Sequence, residues 1–112
     1  MKILVLNCGS SSIKYKLFDM TSGNVMAQGG IEKIGLPGAF LKLTDKDGKK
    51  VVLEKDIPEH QAGIQFILSV LTDATYGCIK DFKEIPVFIK IEFHKTEIIN
   101  HKQLQFGQNT FA

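Results

Sequence analysis

Four consecutive apolar residues, Ile3-Leu4-Val5-Leu6, pass directly into Asn7-Cys8-Gly9-Ser10-Ser11-Ser12, and from there apolar and polar residues alternate. An unbroken apolar run of this length reads as a strand buried on both faces. The small polar residues end it, because glycine and serine favour turns over continued extension. Beyond them Ile13, Tyr15 and Leu17 fall on one face of a second strand, with Ser12, Lys14 and Lys16 on the other. Two strands joined by a short polar loop thus head the chain, and the rest must fold against them.

Further along, Ser22-Gly23-Asn24 marks a turn, and a third strand is predicted from Val25 to Ile34 with a bulge at Gly29-Gly30. Phe40-Leu41-Lys42-Leu43-Thr44 and Lys50-Val51-Val52-Leu53-Glu54 flank Asp45-Lys46-Asp47-Gly48, a hairpin signal. The Asp-x-Asp-Gly in that turn resembles part of a calcium loop, but the later ligands and closing Glu are missing, so a plain turn is predicted. Helical spacing shows in Ile64, Ile67, Leu68 and Leu71, with Pro58 suited to a first helical position and Thr72-Asp73 closing the helix. Ile85 to Phe93 reads as a strand, Thr96 to Leu104 as a weaker helical segment, and Phe106 to Ala112 shows no pattern. The order predicts a mixed α/β domain.

At 112 residues the chain makes one small domain. Its basic residues are all lysines, 14 against 12 acids, for a formal charge of +2. They are spread evenly and form no basic stripe, so neither nucleic acid nor an anionic membrane is implied. Cys8 and Cys78 stand far apart, which suits a reducing setting, and no apolar run is long enough to span a bilayer. A cytoplasmic chain starting at its true N-terminus is the expectation.

Chemistry concentrates in Asn7-x-Gly9-Ser10-Ser11-Ser12-x-Lys14. Gly9 lets the backbone turn sharply and approach a ligand. A tight turn aims several N–H groups one way, and the three serine hydroxyls add donors. Lys14 projects a cation from the same face as Ser12, and Asn7 could bind an oxygen or a magnesium-bound water. These groups suit phosphate oxygens. They equally suit a polar hairpin turn whose serines satisfy their own backbone. The Walker A spacing is absent, as is a G-x-G-x-x-G opening a helix.

The stretch Ile3 to Tyr15, with Asn7-Cys8-Gly9-Ser10-Ser11-Ser12-Ile13-Lys14 at its centre, resembles the opening signature of the acetate kinases. The resemblance continues at Ile57-Pro58-Glu59-His60, Leu71-Thr72-Asp73, Tyr76-Gly77-x-Ile79-Lys80-Asp81 and Glu84-Ile85. It implies an actin-like, sugar-kinase-like (ribonuclease H-like) lobe, of which this chain is the strand-rich N-terminal part. It also implies ATP-dependent, reversible phosphorylation of acetate to acetyl phosphate, with propionate kinase as the near alternative. By resemblance Asn7 serves magnesium and the transferring phosphate, Lys14 binds ATP, and Gly9, Ser10 and Ser12 form the ATP phosphate loop. A homodimer is implied for the full-length enzyme.

After Ile85 the resemblance calls for His-Arg and then His-Gly-Gly, whereas this chain reads Pro86-Val87-Phe88-Ile89-Lys90-Ile91-Glu92-Phe93. Lys90 falls near the place of the carboxylate-binding arginine but lacks its bidentate fork. Residues 1–85 are therefore expected to be a partial N-terminal lobe and 86–112 a divergent, truncated tail, as a frameshift or a sequencing error would produce. The catalytic Asp, His and Arg are expected beyond Ala112, which makes the chain inactive by itself. The alternative is a non-catalytic remnant that keeps only a phosphate- or nucleotide-binding loop. Cys8 is expected to pack rather than react, and His60, His94 and His101 to face solvent. Glu54 and Glu59 are read as parts of solvated faces.

Overall fold

A computed structural model describes residues 1–92 and 95–100. Its strands are β1 (Lys2–Cys8), β2 (Ile13–Asp19), β3 (Asn24–Glu32), β4 (Phe40–Asp45), β5 (Lys50–Glu54), β6 (Val87–Glu92) and β7 (Lys95–Asn100). One helix, α1 (His60–Leu71), and a 3₁₀ turn at Phe82–Glu84 lie between β5 and β6. The strands form one sheet in the order β5-β4-β3-β2-β1-β6-β7. Strands β1 to β5 make an antiparallel meander, β6 lies parallel to β1, and β7 returns antiparallel to β6. This is the mixed, strand-rich α/β architecture expected.

Alternation decides which face is core. Leu4 and Leu6 of β1, Ile13 and Leu17 of β2, Ile31 of β3 and Leu41 of β4 are fully buried. Ile64, Ile67, Leu68 and Leu71 of α1 close over that face. Gly63 lets the helix settle, because a Cβ there would stand 3.1 Å from Ile13 Cδ1. Among the described residues no polar or charged side chain is buried.

The other face is open, and this corrects the reading of β1. Ile3 and Val5 are only half-buried, since among the described residues the helix covers one face alone. Val87, Ile89 and Ile91 continue the half-covered surface onto β6.

Other local departures have clear causes. The register shift falls between Leu17 and Phe18, opposite Ala27 and Val25, rather than at Gly29-Gly30. Gly29 keeps register and is glycine for want of room: a Cβ there would sit 1.9 Å from the Lys42 carbonyl oxygen. Helix α1 begins at His60, not Pro58, because extended Glu59 takes the N-cap and its carboxylate accepts the Ala62 N–H at 3.2 Å. Thr72 caps the far end as expected, its hydroxyl donating to the Leu68 carbonyl at 2.9 Å.

Lys95 to Asn100 is strand, not helix. Thr96, Ile98 and Ile99 are β-branched, and the edge of β6 offers them a partner. Residues 101–104 of that predicted helix lie outside the described residues, as do Phe93, His94 and His101. The Asp45–Gly48 segment is a turn, with Asp45 Oδ1 accepting the N–H groups of Asp47 and Lys49, both at 2.9 Å. Gly48 has a φ of 84°.

Candidate functional site

The loop between β1 and β2 closes through a hydrogen bond from the Gly9 N–H to the Ser12 carbonyl at 2.8 Å. Gly9 is not in the left-handed region, so the expected sharp glycine turn is replaced by a steric reason. A Cβ on Gly9 would meet Ser12 Oγ at 2.8 Å. A second tie comes from the Ile34 N–H, which donates to the Ser11 carbonyl at 2.9 Å. Among the described residues the hydroxyls of Ser10, Ser11 and Ser12 have no intramolecular partner, so the serines do not spend them on their own backbone.

Just behind the loop, Asn7 and Lys14 are direct cross-strand partners. Such partners point the same way, with Cβ atoms about 5 Å apart. Both side chains are exposed on the open face, and among the described residues neither has a hydrogen-bond or ion-pair partner. They line a cleft of about 500 Å³, with Lys16, Gln28 and Thr44 as further polar groups and Val5 and Ile91 as apolar surface. No carboxylate lines it among the described residues. Two ammonium groups above an apolar floor suit an anion attached to a flat organic body. Gly9, Ser10 and Ser12 do not line this cleft; they form the loop at the end of the same two strands.

Several residues outside that pair are now placed. Lys90 shares the helix-covered face with Phe88 and lies in a small cleft with Glu92, Lys95 and Glu97, not beside Asn7 and Lys14. Cys8 is buried, and desolvation pushes its thiol up despite the opposing pull of nearby Lys90. It packs within the hydrophobic core. His60 does not simply face solvent, because its Nε2 hydrogen-bonds the Gly9 carbonyl. Sequence reasoning missed this, and only the block Ile57 to His60 hinted at it. Gln28 and Thr44 were also missed, since they reach the cleft through sheet pairing that no local pattern reveals. A larger cleft, about 620 Å³, lies at the opposite end among turn residues such as Asp19 and Asp47. It is remote from the loop, and the Asp19 carboxylate there already accepts the Thr21 N–H at 3.0 Å.

The sheet is the strand-rich part of an actin-like lobe. The acetokinase family model matches residues 2–96, and the chain belongs to that family. It is 91% identical over 85 residues to the acetate kinase of Parabacteroides distasonis, covering 76% of this chain and 21% of that protein. It is 65% identical over 104 residues to the acetate kinase of Azobacteroides pseudotrichonymphae, covering 93% and 26%. The crystal structure of Porphyromonas gingivalis acetate kinase superimposes with a TM-score of 0.75 at 66% identity, covering 78% of this chain and 22% of that one. The chain thus spans about a fifth to a quarter of the length of these relatives. Among the described residues no helix is long and apolar enough to cross a membrane.

Proposed function

We propose that this chain carries the ATP-phosphate-binding part of an acetate kinase, the enzyme that transfers the γ-phosphoryl group of ATP reversibly to acetate. The observation that carries this reading is the pairing of Asn7 with Lys14 beside a loop whose serine hydroxyls have no intramolecular partner among the described residues. Phosphoryl transfer depends on positioning and on neutralising charge spread over the phosphate oxygens. Lys14 supplies a cation for them, Ser10 and Ser12 donate hydroxyl hydrogen bonds, and Gly9 lets Ser12 lie close. Acetate rather than propionate is favoured by the names of the relatives.

Magnesium fits this arrangement only as a shared ion. Among the described residues no cluster of three His, Cys, Asp or Glu could cage a metal. Asn7 would hold it through its amide oxygen or a bound water, with phosphates completing the shell, and the ion would supply charge neutralisation. Residues 1–85 would form the lobe, and 86–112 a divergent tail. By itself the chain would bind without turning over, because it has no arginine to fork onto a carboxylate. That absence also favours the second reading, a non-catalytic remnant that retains the loop. In the whole enzyme we place the reaction in the cytoplasm and in a homodimer.

Titration of the isotopically labelled 112-residue protein with magnesium-ATP tests the reading. Amide shifts should concentrate at Gly9, Ser10, Ser12 and Lys14. A spectrum unchanged at millimolar ATP would overturn it.

A further inference from the structure

We propose that His60 is a positioning residue for the serine loop: it engages the Gly9 carbonyl so that this oxygen does not face a phosphate bound at the loop. The inference rests on the phosphate-binding reading above. The Gly9 carbonyl oxygen can only accept, so the proton must reside on Nε2 of His60.

Three loop carbonyls are engaged in this way. Gly9 is held by His60, Ser11 by the Ile34 N–H and Ser12 by the Gly9 N–H. An unengaged carbonyl aimed at an incoming phosphate would repel it, because both carry negative charge at oxygen. With these carbonyls engaged, the hydroxyls of Ser10 and Ser12, which have no partner among the described residues, remain to donate to a phosphate.

The imidazole has a fixed base. His60 opens α1, and one turn on, Gly63 is seated against Ile13, the first residue after the loop in β2. The Gly35 N–H donates to the Ile57 carbonyl at 2.7 Å, joining the segment before α1 to the connection that holds Ser11. A closed circuit of contacts therefore runs from the loop through Ile34, Gly35 and Ile57 to α1, and back through His60. The circuit spans 51 positions of sequence between Gly9 and His60.

Two measurements on the full 112-residue protein test the proposal. In the unmodified protein, long-range proton–nitrogen correlation should show a protonated Nε2 on His60. An unprotonated Nε2 at neutral pH overturns the proposal without any variant. Binding of magnesium-ATP is then compared among the wild type, His60→Leu and His60→Gln, since the Gln amide can replace the Nε2 donor. We expect His60→Leu to weaken binding about tenfold, with shifts centred on Gly9 and Ser10, and His60→Gln to restore it to within about threefold. Equal binding by His60→Leu and wild type, or no rescue by Gln, overturns the positioning role and leaves the phosphate reading intact. A wild type that binds nothing removes both. Should His60→Leu not fold, the protonation state and the His60→Gln affinity still decide.

Discussion

Tyr15 reaches across β3 to donate its phenol proton to the Lys42 carbonyl of β4 at 2.8 Å, passing over Gly29. A side chain at position 29 would run into that same carbonyl and come within 3.0 Å of the Tyr15 hydroxyl. Tyr15→Phe leaves that carbonyl without its partner and should cost about 1–2 kcal/mol. Gly29→Ala places a Cβ 1.9 Å from the same oxygen and should cost about 2–3 kcal/mol by overpacking. Urea unfolding of the two variants checks both values, and a neutral Gly29→Ala would contradict the close approach.

Gly9→Ala separates folding from binding. The added methyl meets a hydroxyl rather than backbone, at 2.8 Å, and Ser12 can rotate its Oγ away. Stability should change by less than about 1 kcal/mol. Shifts at Ser12 on adding magnesium-ATP should be lost, because its hydroxyl no longer points as before. Urea unfolding and the same titration give both readouts.

Lys14 is exposed, and among the described residues no carboxylate pairs with it. Its removal should scarcely touch the fold, by no more than about 0.5 kcal/mol for Lys14→Ala. A charge-assisted contact to phosphate is worth about 1.5–3 kcal/mol, so ATP binding should fall about 10- to 100-fold. Isothermal titration of wild type and variant is the check, and unchanged affinity would remove Lys14 from the site.

Alkaline pH should destabilise the protein. Burial raises Tyr15 well above the ordinary phenol value, and it raises the thiols of Cys8 and Cys78 above their ordinary 9.0. A group raised on folding contributes stability that is complete below its unfolded pKa and lost as pH climbs through the folded one. Thermal midpoints should therefore hold up to about pH 8 and fall steadily beyond pH 9. Cys8→Ala should flatten the first part of that decline; an identical slope would exclude Cys8 as a contributor.

The residues near the head of the chain were legible because their signals are local. Alternation through Ile13, Tyr15 and Leu17, with one short loop, is enough to lay β2 against β1. Helix α1 showed in its apolar spacing, although the claim of Glu59 on the N-cap over Pro58 depends on one backbone angle that no pattern prints. Gln28 and Thr44 could not be read, because their place beside Asn7 and Lys14 follows from pairings of β3 and β4. His60 was hidden for the same reason, being held to Gly9 by the packing of a helix. Lys95 to Asn100 misled because three β-branched residues among polar ones mimic a weak helical stripe until β6 offers an edge.

The parallel pairing of β1 with β6 also sets an order of assembly. Hairpins from β1 through β5 use neighbours in sequence and can form while the chain is still being synthesised. The outer edge of β1 waits for Val87, the partner of Ile3. Until that strand emerges from the ribosome, the first-made strand keeps an unpaired edge able to recruit another nascent chain. The strand that leads into the loop is therefore paired along both edges only once β6 has been made, not when it first emerges.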